Sequence, residues 1–155
     1  MAFEKEDRIR EATSNDVARF FRKASGGDWD GIEPPFIDCG RLHACDGFLV
    51  AEYGGEVIGA VATSSKGMDG SNLPTIANLY VLRDFTRKGV GSRLLAAALE
   101  SRLWGIPKVF CKAITPGMVN TINKLPPEFR ARLECKVDLC GAESWEAWER
   151  MKGTD

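Results

Sequence analysis

The chain of 155 residues carries 21 Lys and Arg against 22 Asp and Glu, a formal net charge of −1 that gives no general electrostatic pull toward nucleic acid or a membrane surface. No apolar run approaches the length of a membrane span, and the stretch Met1 to Arg8 is too charged for a signal peptide. Five cysteines without a C-x-x-C pair, beside a single histidine, speak against a metal site and read as reduced thiols in a cytoplasmic protein.

No repeat, low-complexity tract or linker divides the sequence, so residues 1–155 are read as one domain. Arg8 to Thr13 is a short strand candidate. Ser14, Asn15 and Asp16 offer capping side chains to a helix in which Val17, Phe20, Phe21 and Ala24 share one face. Ser25-Gly26-Gly27 ends it. Asp28 to Asp46 is acidic, holds Pro34 and Pro35 and the lone His43, and reads as a solvated loop or short helix. Phe48–Tyr53 and Glu56–Thr63 are β-rich runs around Gly54-Gly55, a turn able to take the positive φ angles of a tight hairpin. Lys66 to Asn72 is a polar loop, and Pro74 to Leu82 is the next strand.

The stretch Leu79 to Leu95 organises the chain. An apolar strand passes through the charged turn Arg83 to Lys88, reaches Gly89 and Gly91, and enters a Leu/Ala-rich helix. Such a junction presents unpaired backbone N–H groups at the positive end of a helix dipole, and a glycine lets an anion come close. Arg87, Lys88 and Arg93 add charge around what reads as a phosphate or pyrophosphate cradle. A Walker A loop, G-x-x-x-x-G-K-[ST], is not matched. A dinucleotide fingerprint fails as well, because Leu94 stands at the third glycine and six residues separate the strand from Gly89.

The helix expected from Val90 to Trp104 carries Leu94, Leu95, Ala98, Leu99 and Leu103 as a wide apolar stripe, and Gly105-Ile106-Pro107 stops it. Lys108 to Ile114 follows as a strand, parallel to the one before the loop. Thr115-Pro116 opens a helix over Gly117 to Leu125, which Pro126-Pro127 must end, and a second short helix is expected over Glu128 to Leu133. Cys135–Leu139 and Trp145–Met151 close the chain around Gly141 to Ser144; propensity alone also allows a helix for the last segment.

Thr86-Arg87-Lys88-Gly89-Val90-Gly91, with Ile76 to Val81 before it and Ser92-Arg93-Leu94-Leu95 behind, resembles motif A of the GNAT superfamily of acyl-CoA-dependent N-acetyltransferases, [QR]-x-x-G-x-[GA] between a strand and a helix. Thr86 departs from the usual Arg or Gln. The opening strand and capped helix are also as GNAT domains commonly begin. The resemblance implies an α/β (α+β) GNAT fold: a mixed, mostly antiparallel sheet with a central splayed parallel strand pair and flanking helices, closed by an antiparallel hairpin of the last two segments. It implies acetyl-CoA as cosubstrate, its pyrophosphate on the Arg87, Lys88, Gly89, Val90, Gly91 and Ser92 loop. Its pantetheine arm would bond Leu79, Tyr80 and Val81 in strand-like fashion, with Asn120 assisting. The implied activity is direct acetyl transfer to a primary amine in a ternary complex, with the region between the first two helices walling the acceptor site. Homodimers are common in the family.

Catalysis departs from the family pattern twice. Thr75 stands where many members place a basic Glu, and Pro126 to Glu128 stand where a Tyr acid is common. Tyr80, Thr75 and Cys111 are the catalytic candidates, with Glu52 and Tyr53 as further substitutes, and a water chain near Thr75 or Asn78 is the other route. The alternative function these departures allow is a GNAT-like module that holds CoA or a partner without turnover.

Overall fold

The computed structural model describes residues 8–13, 15–16, 45–67, 70–82, 85, 88–113 and 116–137. The expected helix from Val17, the acidic segment up to Ala44 with His43, Thr86, Arg87 and the segment Trp145–Met151 lie outside them.

Among the described residues six strands form one sheet in chain order: β1 (Arg8–Glu11), β2 (Gly47–Tyr53), β3 (Glu56–Ser64), β4 (Thr75–Val81), β5 (Val109–Ala113) and β6 (Leu133–Val137). The first three neighbouring pairs are antiparallel; β4–β5 and β5–β6 are parallel. The β2–β3 hairpin turns through Gly54 and Gly55 at φ 58° and 82°, the left-handed pair that matches strand twist. Helix α1 (Val90–Glu100) connects β4 to β5 and packs across β2, β3 and β4. Gly59 seats it: a Cβ there would stand 3.1 Å from Leu94 Cδ1 and 3.3 Å from Val90 Cγ1. Leu94, Leu95, Ala98 and Leu99 are fully buried against the sheet, each leucine contributing about 1.5–3 kcal/mol.

Helix α1 ends earlier than the apolar stripe suggests, at Glu100, and residues up to Gly105 continue as turns. Arg132 meets that end. Its guanidinium donates to the carbonyls of Leu99, Leu103 and Ile106 at 3.1, 2.6 and 2.9 Å, satisfying acceptors the helix leaves over.

Helices α2 (Pro116–Asn123) and α3 (Pro127–Arg130) lead from β5 to β6. Two expectations change here. The second helix stops at Arg130, because Leu133 already pairs with Val109 as the first residue of β6. The strand expected at Cys135–Leu139 starts at Leu133 and pairs with β5 in parallel, while its expected antiparallel partner, Trp145–Met151, lies outside the described residues. A helical connection between β5 and β6 is what a parallel pair requires.

Candidate active site

Strand β4 builds the centre of the site through a change of phase. Asn78, Tyr80 and Leu82 are the hydrogen-bonding positions against β3: Tyr80 lies opposite Ala60, Asn78 opposite Ala62, and Leu82 N–H donates to Ile58 O at 2.9 Å. Alternation then turns the N–H and C=O of Leu79 and Val81 away from β3. Near its start β4 has the opposite phase, since Pro74 O faces β5 and accepts from Phe110 N–H at 2.8 Å. A β-bulge makes the switch, with Ile76 and Ala77 together spanning the space opposite Thr63.

Strand β5 stays beside β4 only at Thr75–Phe110 and Ile76–Cys111. No described residue of β5 is in register with Ala77 to Val81. The parallel pair therefore splays, and the main-chain groups of Leu79 and Val81 face the gap.

The gap leads to the start of α1. Gly89 caps the helix in the left-handed region at φ 83°, and Arg93 N–H makes the first helical bond, to Gly89 O at 3.1 Å. The N–H groups of Val90, Gly91 and Ser92 precede that bond. Among the described residues no side-chain cap bond is found at this end, and the first turn holds no acid. The end of an eleven-residue helix is thus electropositive and open. Lys88 is exposed, with Nζ 5.6 Å from the centre of the Phe85 ring, which in turn lies 5.7 Å from Tyr53.

Gly91 has a packing role in addition to its place in the motif. A Cβ there would lie 3.2 Å from Thr121 Cγ2 and 3.7 Å from Leu79 Cδ2, so its bare α-carbon lets α2 and β4 close on the helix start. Ser92 Oγ donates to Thr121 O at 3.2 Å. Asn120, half-buried on α2, is the residue before this contact. Thr121 carries no motif signal and is found only through the packing.

The catalytic candidates are scattered. Thr75 is fully buried, and its hydroxyl donates to Leu73 O at 2.9 Å. Cys111 is fully buried within the core. Glu52 Oε2 accepts from Arg10 Nε at 2.8 Å and Arg8 Nε at 3.0 Å, which holds its carboxyl below the usual range, Arg10 having the larger effect. A carboxylate so held is a poor proton acceptor near neutrality. Arg10 also forks onto Asp16, whose carboxyl is held far below its ordinary value by that guanidinium and then by Thr13 N–H. Tyr80 lies on β4 itself, its hydroxyl donating to Asn78 Oδ1 at 3.0 Å. Asn78, a polar residue inside an apolar strand, is the signal the sequence does carry here.

A bulged strand, a splayed parallel neighbour and an open helix start make up the site's architecture, and the comparisons give it a family. The chain belongs to the acetyltransferase (GNAT) family, whose sequence model matches residues 11–121. Its fold is similar to that of a ribosomal-protein-alanine N-acetyltransferase from Brucella melitensis, at 21% identity over 77% of this chain and 91% of that one, with TM-score 0.51. N-acetylglutamate synthase from Neisseria gonorrhoeae, complexed with coenzyme A and N-acetyl-glutamate, aligns at 23% identity over 83% of this chain and 32% of that one, with TM-score 0.50. A GNAT-family acetyltransferase of Streptococcus pneumoniae aligns at 16% identity over 96% and 87% of the two chains, with TM-score 0.46. No curated protein matches the chain.

Among the described residues no helix is long and apolar enough to cross a membrane, and no three His, Cys, Asp or Glu side chains gather as metal ligands.

Proposed function

We propose that the protein transfers an acetyl group from acetyl-CoA to a primary amine, directly, in a ternary complex. The observation that carries this reading is the continuity of the gap: main-chain groups of Leu79 and Val81 line it, and it ends at the uncapped N–H groups of Val90, Gly91 and Ser92. A pantetheine arm is an amide chain that bonds like a strand, and a pyrophosphate suits an open helix start. In this reading Asn120, beside the α1–α2 contact, assists the arm, and exposed Lys88 supplies charge to the phosphates.

In this reading the neutral amine attacks the thioester carbonyl carbon, the C–S bond breaks, and the thiolate takes up a proton as the amine nitrogen loses one. Backbone N–H groups at the gap steady the negative charge on the carbonyl oxygen. Ordered water takes the amine's proton, because Thr75 and Glu52 are already committed to other partners and Cys111 is closed off from solvent. Positioning supplies most of the rate.

The commitments of Thr75 and Glu52 also favour a second reading, a module that holds CoA without turnover. One experiment separates the two: calorimetric titration with acetyl-CoA, followed by thiol release against a panel of primary amines. Saturable binding with amine-dependent release supports the transferase, binding without release supports the module, and no binding removes both.

A further inference from the structure

We infer that Cys111 and Cys135 close a reversible disulfide under hydroperoxide, a modification site that goes beyond the transferase reading and does not depend on it. The two residues stand directly opposite each other in the parallel β5–β6 pair, and both are in the thiol form. Opposed residues of a parallel pair point to one face of the sheet. The rung Val109–Leu133 shows which face: Val109 is fully buried, and Leu133 packs against the same core. Two residues further on, both thiols stand on that face. Adjacent strands lie about 4.7–4.9 Å apart, inside the range of about 4.4–6.8 Å that a disulfide spans between α-carbons. The β-carbons must close to about 3.5–4.5 Å, so one strand has to draw in by up to about 1 Å. Strand β6 is the one able to move. Glu134, Cys135 and Lys136 are all exposed, whereas Cys111 is fixed in the core.

Exposure divides the chemistry between the two thiols. Cys135 is open to an oxidant in solvent, and Cys111 is shielded from it. The Cys135 thiolate attacks one oxygen of the hydroperoxide: an S–O bond forms, the O–O bond breaks, and hydroxide or alkoxide leaves. The Cys111 sulfur then attacks the sulfenic sulfur. The S–S bond forms, the S–O bond breaks, and the departing hydroxide takes the Cys111 proton as water. Two electrons pass from the two thiols to the peroxide. The new bond closes a ring around the β5–β6 crossover, with α2 and α3 inside it. It fastens the exposed strand to the core and restrains the helix whose Thr121 meets Gly91. It also keeps an exposed thiol from the irreversible steps to sulfinic and sulfonic acid. A bond on an exposed strand is within reach of a reducing thiol, which makes the staple reversible.

The test is peptide mapping of the whole chain after exposure to hydrogen peroxide, with remaining thiols alkylated in denaturant before tryptic digestion. Cleavage after Lys108, Lys112, Arg132 and Lys136 releases Val109–Lys112 and Leu133–Lys136, each with one of the two cysteines. They should be recovered as one linked species from protein that runs as a single chain on a non-reducing gel, and separately after reduction. The melting temperature should rise by about 5 °C on oxidation and return on reduction. Cys135→Ser, at an exposed position, should melt like the reduced wild type and show neither the linkage nor the rise. Unreacted or over-oxidised Cys135 beside alkylated Cys111 overturns the inference. So does either cysteine linked to a different cysteine or to a second chain. A linkage without the rise in melting temperature overturns the role as a staple. No acetyl-CoA enters the experiment, so its failure and the failure of the transferase reading are distinct results.

Discussion

Gly91 of α1 faces Thr121 of α2 so closely that a methyl group on its α-carbon would stand 3.2 Å from the threonine Cγ2 and 3.4 Å from its Oγ1. The open end of α1 is thus shaped from outside its own helix, by a residue about thirty positions later in the chain.

Opposed effects meet in Gly91→Ala. Alanine gains about 1 kcal/mol of helix propensity over glycine, while the contact with Thr121 tightens by a few tenths of an ångström. Thermal stability should stay near that of the wild type. Gly91→Val should push α2 away, lowering both the melting temperature and acetyl-CoA affinity in calorimetry. Wild-type affinity in the valine variant would show that this contact does not shape the site.

Gly89 is needed for a different reason. Nothing lies within 4 Å of the position its Cβ would take, but φ is 83°. The left-handed conformation costs a residue with a Cβ about 1–2 kcal/mol, and Asn tolerates it better than Ala or Val. Stability and acetyl-CoA affinity should therefore fall in the order Gly, Asn, Ala, Val. Equal affinities across the series would remove the backbone conformation of Gly89 from the account.

Much of this arrangement can be read from the residues. The Gly54-Gly55 hairpin, the strand before the loop and the helix after it are local patterns, and their observed edges fall within a few residues of the expected ones, except for the C-terminal end of α1. The bulge at Ile76 and Ala77 is not a local pattern. It depends on how β4 lies against Thr63, although it decides which main-chain groups face the gap. Nor does the pattern of Leu133 to Val137 say which strand it joins or in which direction. Arg132 helps to settle that by binding the end of α1 immediately before β6 begins. Thr121 and the Asn78–Tyr80 pair are likewise products of packing.

Acid should loosen the β1 edge. The Asp16 and Glu52 carboxyls are both held below their ordinary values, chiefly by hydrogen bonds from Arg10. A carboxylate with a lowered pKa contributes stability that is fully present above its unfolded value, about 4, and is lost as pH falls toward the folded value. The melting temperature should drop on acidification below about pH 4–5, and Asp16→Asn should flatten that drop while costing roughly 1 kcal/mol near neutrality. An acid profile unaltered by Asp16→Asn would contradict the assignment.

The proton route makes a kinetic prediction. With water as the acceptor of the amine's proton, kcat/KM should keep rising toward the amine's own pKa instead of levelling near neutrality. Cys111→Ala should retain most of the rate, since that thiol has no exposed surface. A plateau near neutral pH with an amine of high pKa, or loss of turnover in Cys111→Ala with acetyl-CoA binding intact, would reveal a dedicated acid or base.

Amide hydrogen exchange with and without CoA tests the central claim most directly. CoA should slow exchange at Leu79 and Val81, whose N–H groups face the gap, and at Val90, Gly91 and Ser92, which precede the first helical bond. Tyr80, already bonded to β3, should change little. Binding of CoA that protects other segments and leaves these five amides untouched would contradict the account.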